Sequence, residues 1–176
     1  KNYASVISFY TDSVKMSKDL EYVYGATRLV FDPLDKPSSI NSLPTTTTGI
    51  KDGQLAVEVS SEKKFTNLLL TDKQALLYLN KKYQAEYFVF VNQLDIKNDT
   101  DSYDITTDTY QRKVNVHYTI LDKNGKLITA GIASSTFSSK ENNPKKIVAS
   151  SFSPAATYIA AKFMGVIKPA PAPQKK

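Results

Sequence analysis

The sequence predicts an α+β fold, with a mixed, mostly antiparallel sheet of five to seven strands and two principal helices packed on it. Three observations support this fold: an amphipathic helical pattern at 72–83, an Asn-Gly turn at 124–125 between two alternating stretches, and an apolar helical stripe over 144–164. The chain has 176 residues, 41% of them hydrophobic, which is close to the commonest domain size. We therefore expect one domain over 1–168 and a tail rich in Pro, Ala and Lys over 169–176.

The first third of the chain mixes strands with a long loop. Strands are predicted over 3–10 and 26–31, where β-branched and aromatic residues are frequent. The stretch 18–24 between them fits either a strand face or two helical turns. Residues 32–53, rich in Pro, Ser, Thr and Asn, predict a long irregular loop, and alternation over 54–59 then indicates a strand with one solvated face.

The helix predicted over 72–83 carries its own start signal. Thr71 and Gln74 are spaced as in a capping box, in which each side chain bonds the other residue's backbone amide, and Leu70 precedes them as the flanking apolar residue. The continuous apolar run 87–91 follows the helix directly. Such a run predicts a central strand covered on both faces.

A hairpin is predicted around the Asn124-Gly125 pair, because these residues tolerate the positive φ angles of a tight turn. Clean alternation over 110–121 predicts its first strand, and 127–138 supplies the second. Together with a strand over 86–97 they form a sequential ladder.

The last helical pattern begins at Asn143-Pro144 and ends at Gly165, both typical helix boundaries. Pro154 lacks an amide hydrogen and crowds the preceding turn, so either the helix kinks there or Ser153 caps a second helix. Apolar residues recur on one helical face at Val148, Phe152, Ala155, Ile159 and Phe163.

Composition excludes several kinds of chemistry. The chain has no cysteine, which excludes disulfides, thiolate metal sites and cysteine nucleophiles. Its net charge of +6 would suit an anionic partner, but only Arg28 and Arg112 among the 23 basic residues are arginine, the side chain best suited to phosphate. The sequence therefore gives no strong nucleic-acid signal.

His117 is the single histidine, and it limits acid–base chemistry to one position. It falls on the polar face of a predicted strand, flanked by Asn115 and Thr119, and we interpret it as a solvated or hydrogen-bonded strand residue. The sequence contains no Gly-x-Ser-x-Gly elbow and no glycine-rich phosphate loop. We therefore expect no catalytic residues.

Acidic residues cluster in one stretch, at Asp95, Asp99, Asp101, Asp104 and Asp108. Oxygen-rich loops suit Ca²⁺, but this stretch departs from the calcium-loop pattern, with Asp104 at the position that needs glycine and Tyr110 at the twelfth position. We interpret the stretch as a solvated connection between strands, and we expect no metal site and no cofactor.

The apolar strand is interrupted at Asn92 and Gln93, and buried amides need hydrogen-bonding partners. Either one face of the strand becomes exposed to solvent from this point on, or the two amides line a groove for a peptide or another polar ligand. On the second interpretation the binding residues are Asn92, Gln93, Tyr87 and His117. The 32–53 loop is the other region in which we expect function.

The run 83–93, the strand 114–121, the Lys-Asn-Gly-Lys turn and the C-terminal helix together resemble uncharacterised envelope proteins of Bacteroidetes. More distantly, they are similar to the small α/β domains of outer-membrane lipoproteins such as the curli secretion lipoprotein and the activators of penicillin-binding proteins. The resemblance covers residues 70–165. It implies an envelope protein without a catalytic signature, linked to a membrane only through a lipid anchor upstream of Lys1.

The leading hypothesis is a non-enzymatic, exported protein, periplasmic or outer-membrane associated, that binds a protein partner or a cell-wall component. A start at Lys1 rather than Met indicates either an artificially trimmed chain or a secreted protein whose leader has been removed, and we expect the second. Two alternatives stay open. One is a hydrolase or other small-molecule enzyme that uses His117, and the other is a single-stranded nucleic-acid binder whose strand aromatics stack bases.

Overall fold

The computed structural model describes residues 14–34, 50–51, 54–55 and 64–167. The predicted strand over 3–10 and the predicted tail lie outside these residues, as do most of the 32–53 loop and of the 54–59 strand. The described elements follow in chain order: α1 (Ser17–Gly25), β1 (Thr27–Pro33), β2 (Ile50–Lys51), β3 (Gln54–Leu55), β4 (Lys64–Leu70), α2 (Gln74–Tyr83), β5 (Tyr87–Asp104), β6 (Thr109–Asp122), β7 (Leu127–Ser138), α3 (Pro144–Ile147), a π-helical turn (Val148–Phe152) and α4 (Ser153–Ile167). The last three run on without a break and are called the C-terminal helix below.

The strands form small antiparallel sheets rather than one large sheet. β1 pairs with β4, β2 with β3, and β5, β6 and β7 form a three-stranded sheet in that order. The predicted single sheet of five to seven strands is therefore wrong. β4 lies across a face of the three-stranded sheet, and side chains of that sheet hydrogen-bond its second edge. Because these bonds satisfy the backbone, β4 needs no second partner strand.

Elements with strong local patterns lie where the sequence predicts them. The predicted three-strand ladder corresponds to β5, β6 and β7, with Gly125 at φ 78° in the turn between β6 and β7. The 18–24 stretch takes its helical alternative as α1, and the 26–31 strand corresponds to β1. β5 runs further than predicted, to Asp104, through residues that we interpreted as a solvated connection.

β4 has no counterpart in the sequence prediction, which assigns Leu70 and Thr71 to the start of the following helix. Thr71 instead donates its N–H to the Ala26 carbonyl at 2.8 Å, where the β1–β4 pair ends. Helix α2 begins at Gln74, whose N–H donates to Asp72 Oδ1 at 2.9 Å. The predicted capping box is therefore wrong, because Asp72 rather than Thr71 supplies the side-chain acceptor.

Two apolar clusters lie on opposite faces of the three-stranded sheet. The first joins α1, β4 and α2 to that sheet through Val23, Leu68, Leu70, Leu76, Leu79, Phe88 and Leu121. The second packs the C-terminal helix on β6 and β7 through Val114, Val116, Tyr118, Ile120, Ala133, Phe137 and Ala155. Each buried Leu, Val or Phe contributes about 1.5–3 kcal/mol, so the sheet is held from both sides.

Helices α1 and α2 are joined by the buried carboxylate of Asp19. Lys82 Nζ lies 2.8 Å from Asp19 Oδ2, the Tyr78 hydroxyl donates to Oδ1 at 3.2 Å, and the Tyr83 hydroxyl donates to Oδ2. Burial by itself raises the pKa of Asp19, but these hydrogen bonds outweigh it and hold that pKa below its ordinary value. The carboxylate thus stays charged where it links the two helices.

The C-terminal helix passes through Pro154 without splitting. Asn143 Oδ1 accepts from the backbone N–H groups of Lys145 and Lys146 and so caps the helix start as predicted. In the π turn just before the proline, the Ser153 N–H donates to Val148 O, five residues back. Because proline donates no hydrogen bond, this wider turn accommodates it inside a continuous helix.

Candidate functional site

Three of the four predicted binding residues converge on Thr66 of β4. His117 Nδ1 accepts the Thr66 backbone N–H at 2.8 Å, and Asn92 Nδ2 donates to the Thr66 carbonyl at 2.9 Å. The Thr66 hydroxyl donates to Gln93 Oε1. We call this arrangement the Thr66 clamp. The fourth residue, Tyr87, does not take part in it.

The clamp takes the place of a strand along the second edge of β4. Successive residues of an antiparallel strand direct their backbone groups to alternate sides, so Thr66 and Leu68 turn theirs away from β1. There the Leu68 N–H donates to Thr119 Oγ1 at 3.1 Å, beside the clamp. Without such acceptors these buried groups would be unpaired, at a cost of about 1–3 kcal/mol each.

Further buried side chains extend the clamp to β1. Thr119 Oγ1 donates to Asn67 Oδ1 at 2.7 Å, and Asn67 Nδ2 donates to Asp32 Oδ2 at 2.8 Å. Asn92 Nδ2 also donates to Thr119 Oγ1 at 2.7 Å, which links the clamp to these residues. Asn67 and Thr119 are 0% exposed and Asp32 is 1% exposed. The clamp with these three residues, the buried polar network, ties β1 and β4 to β5 and β6.

His117 is buried at 6% exposure and hydrogen-bonded, so of the two predicted alternatives the structure has the hydrogen-bonded strand residue and not the solvated one. Burial lowers its pKa, Asp95 opposes that shift with Oδ2 3.7 Å from Nε2, and the Lys97 ammonium adds to the lowering. Because Nδ1 accepts a hydrogen bond, the neutral ring carries its proton on Nε2.

This tautomer decides what His117 can do chemically. A general base must present a free lone pair to the proton that it abstracts. The Nδ1 lone pair is already bonded to the Thr66 N–H, and Nε2 holds the proton on the side of Asp95. The ring therefore acts as a hydrogen-bond acceptor for β4 in this arrangement.

A β-bulge at Asn92 sets the direction of the side chains along β5. Val91 pairs with Tyr118 and Gln93 with His117, its neighbour on β6, so Asn92 is an extra residue. Side chains alternate along a strand, and one extra residue reverses the alternation beyond it. The bulge therefore turns Gln93 towards β4.

On the opposite face of β5, the same bulge keeps four aliphatic side chains in line. Val89, Val91, Leu94 and Ile96 oppose the buried β6 residues that pack under the C-terminal helix. They are 57%, 51%, 48% and 52% exposed, because the C-terminal helix packs mainly on β7 and β6. We call these four residues the apolar row. The prediction of a central strand covered on both faces is therefore wrong.

Tyr87 stands at the border between the apolar row and the C-terminal helix. It is 42% exposed, and its ring meets Phe163 edge to face with centroids 4.9 Å apart. Tyr87 therefore lies on the opposite face of β5 from the clamp and does not share a groove with the two amides.

The far end of β5 is acidic. Asp99, Asp101 and Asp104 lie on the strand and Asp108 in the turn that follows, where the Tyr103 hydroxyl donates to Asp108 Oδ1 at 2.8 Å. A shallow cavity of about 330 Å³ lies here, lined by Asn98, Thr100, Tyr103 and Tyr110. Hydrogen bonds from Thr107 and the Thr106 amide lower the pKa of Asp104, so its carboxylate is charged at neutral pH.

The described ranges contain neither a cluster of metal ligands nor a membrane-spanning helix. No group of three or more His, Cys, Asp or Glu side chains in residues 14–34, 50–51, 54–55 and 64–167 could hold a metal ion. None of the helices in the same ranges is long and apolar enough to span a bilayer.

No protein family model, curated protein or solved structure matches this chain. The resemblance to envelope proteins therefore stays a prediction.

Proposed function

We propose that this protein is a non-enzymatic protein-binding domain that captures an extended segment of a partner chain along β5. The apolar row carries the proposal: four aliphatic side chains, each about half exposed, lie side by side on a strand at the edge of its sheet. Exposed contiguous apolar surface on a folded domain is typical of interaction sites.

The edge position of β5 explains how a segment would bind. β5 is 18 residues long and, within the described part of the chain, pairs with β6 alone. A strand added to such an edge gains main-chain hydrogen bonds, while alternate side chains enter the adjoining apolar surface. Here that surface is the apolar row, bordered by Tyr87 of β5, whose ring packs on Phe163 of the C-terminal helix.

The charge along β5 indicates what the segment contains. The strand runs from the apolar row to the acidic end at Asp99, Asp101 and Asp104. The three-stranded sheet is antiparallel throughout, and antiparallel addition places the N-terminal end of the segment beside these carboxylates. The occupant is therefore a segment with basic residues at its N-terminal end, followed by alternating apolar residues.

The contacts favour this function over the two alternatives. An enzyme based on His117 needs a free ring nitrogen facing a substrate, whereas Nδ1 bonds Thr66. Binding of single-stranded nucleic acid relies on stacked aromatics and cations. The exposed row is aliphatic, and the adjoining end of β5 carries carboxylates that repel phosphate.

A synthetic peptide tests the proposal directly. The probe is a fluorescent peptide of three lysines followed by four Val-Thr repeats, and binding is followed by fluorescence anisotropy. Replacing the lysines by glutamates should weaken binding about tenfold or more, a loss of about 1.4 kcal/mol or greater. Moving the lysines to the other end should also weaken it, because strand direction would then separate them from the acidic end.

Two matched variants locate the binding surface. Val91→Lys places a charge within the apolar row, and Val166→Lys places one at an equally exposed valine on α4, since the two valines are 51% and 52% exposed. We expect Val91→Lys to abolish peptide binding and Val166→Lys to retain it. Unchanged binding by Val91→Lys, with the fold intact by circular dichroism, would contradict the proposal.

Location in the cell envelope is a separate part of the proposal. We propose that the domain is exported and acts in the periplasm or at the outer membrane, as the leading sequence hypothesis holds. Fractionation of native cells with an antibody against the protein tests this, and recovery in the cytosolic fraction alone would refute it.

A further inference from the structure

We propose that the Thr66 clamp is an acid-sensitive latch, in which protonation of His117 releases the first half of β4 from the three-stranded sheet. The proposal does not depend on partner binding. His117 is the single histidine of the chain, and it faces a strand of the other sheet rather than solvent. Histidine is the side chain that changes charge between pH 5 and 8.

The latch follows from the direction of one hydrogen bond. His117 Nδ1 accepts the Thr66 backbone N–H at 2.8 Å. An imidazolium ring carries hydrogen on both nitrogens and cannot accept. Protonation therefore sets two N–H donors against each other, and either the ring or β4 must move.

Charged groups on the neighbouring elements tune the latch. On β5, Asp95 Oδ2 lies 3.7 Å from His117 Nε2 and favours the charged ring, while Lys97 Nζ lies 3.5 Å from the same oxygen and offsets part of this attraction. β4 presents the Thr66 N–H, and Asp32 of β1 lies beyond it, bonded to Asn67. On β7 the cross-strand neighbour of His117 is the uncharged Ile132.

The opening is confined to one end of β4. Leu68 and Leu70 belong to the apolar cluster with α1 and α2, which does not titrate. Residues 64–66 pair with 31–33 of β1, and Asn67 after them keeps its bonds to Asp32 and Thr119, which do not involve His117. Release of Thr66 therefore frees this paired end while the cluster holds the rest of the strand.

The sign of the pH dependence follows from the burial of His117. Its folded-state pKa is lowered by burial, so in the interval below the ordinary histidine pKa of about 6.5 the open state binds more protons than the closed state. The latch is fully closed above that interval, and it weakens as the pH falls through it.

Amide hydrogen exchange on the intact protein tests the latch between pH 7.5 and 5. The protection factor of the Thr66 amide should fall by up to about tenfold per pH unit below pH 6.5, while that of Leu79 in α2 should not. Unchanged protection at Thr66, or an equal fall at Leu79, would overturn the proposal.

His117→Asn is the matched variant, because its amide oxygen still accepts a hydrogen bond but does not titrate. We expect its Thr66 protection to be independent of pH over this range, and the wild-type pH dependence in this variant would contradict a role for His117. If the variant does not fold, the ¹⁵N chemical shifts of the wild-type His117 ring test the latch instead. A neutral ring with its proton on Nδ1 would refute the latch, and a proton on Nε2 with titration below pH 6.5 would support it.

Discussion

Over residues 91–96 of β5, the two faces of the three-stranded sheet are the reverse of what an antiparallel sheet normally presents. Towards β4 the sheet buries a network of amides, hydroxyls and one imidazole, whereas on the helix side of β5 it leaves four aliphatic side chains about half exposed. An antiparallel sheet usually buries its apolar face and solvates its polar one. Polar residues therefore help the first apolar cluster to hold β4 on the sheet, while the exposed apolar row is the better candidate for function.

A single inserted residue produces both faces of β5. The bulge at Asn92 reverses the side-chain alternation, so that Gln93 and Asp95 face the polar network while Leu94 and Ile96 join the apolar row. Asn92 itself bonds both Thr66 and Thr119. Of the two amides that interrupt the apolar strand, Asn92 bonds the peptide backbone of β4 in the same chain, and Gln93 accepts from the Thr66 hydroxyl.

Removal of Asn67 from the buried polar network should lower the stability of the protein more than any other substitution considered. Asn67→Ala deletes the donor to Asp32 and the acceptor for Thr119 and the Leu68 N–H, all within a site that is 0% exposed at Asn67. Buried groups that lose a partner cost about 1–3 kcal/mol each, so we expect a loss of about 3–5 kcal/mol in the free energy of unfolding, measured by urea denaturation.

Asn115→Ala is the matched control for Asn67→Ala, because Asn115 accepts one hydrogen bond, from Ser134, in a partly exposed position. It should cost about 1 kcal/mol or less. If both substitutions cost the same, the polar network makes no special contribution and the contrast between the faces loses its energetic basis.

Charge substitutions beside His117 should shift the pKa of its ring in opposite directions. Asp95 favours the imidazolium ring, so Asp95→Asn should lower the pKa of His117 further and move the loss of Thr66 protection to lower pH. Lys97 disfavours it, so Lys97→Met should raise that pKa. NMR titration of the single histidine measures both shifts, and shifts of the same sign would show that the two groups do not act through charge.

The elements that sequence predicts well are those with a complete local signal. β6 and β7 alternate cleanly around an Asn-Gly turn, and α2 has an apolar stripe, so each can be identified within a short window. β4 has no such signal, because Thr66 and Asn67 interrupt its apolar run and become buried only through partners far along the chain. The separation of the β1–β4 pair from the three-stranded sheet depends on those same distant partners and is equally absent from local patterns.

The candidate site was predictable in part. Asn92, Gln93 and His117 stand out in the sequence, and the structure brings them together around Thr66. Thr66 itself, with its network partners, was missed. One signal was present: Leu121 shares the face of His117 in the alternation of β6, and an apolar residue on a supposedly solvated face indicates cover.

Polar substitution on the apolar face should have the smallest effect on stability, and it tests whether the row is open. Val91→Thr adds a hydroxyl at a position that is 51% exposed, and Val114→Thr adds the same hydroxyl under the C-terminal helix, where Val114 is 0% exposed. We expect Val91→Thr to change the free energy of unfolding by less than about 0.5 kcal/mol, and Val114→Thr to cost about 1–3 kcal/mol because its hydroxyl is buried.

Urea denaturation at two protein concentrations shows whether anything covers the apolar row. A cost at Val91 that matches Val114 at both concentrations would mean that the row is covered within the monomer, which contradicts strand addition. A cost that grows with concentration would mean that a second copy occupies the row, and the partner segment would then be sought in this chain itself.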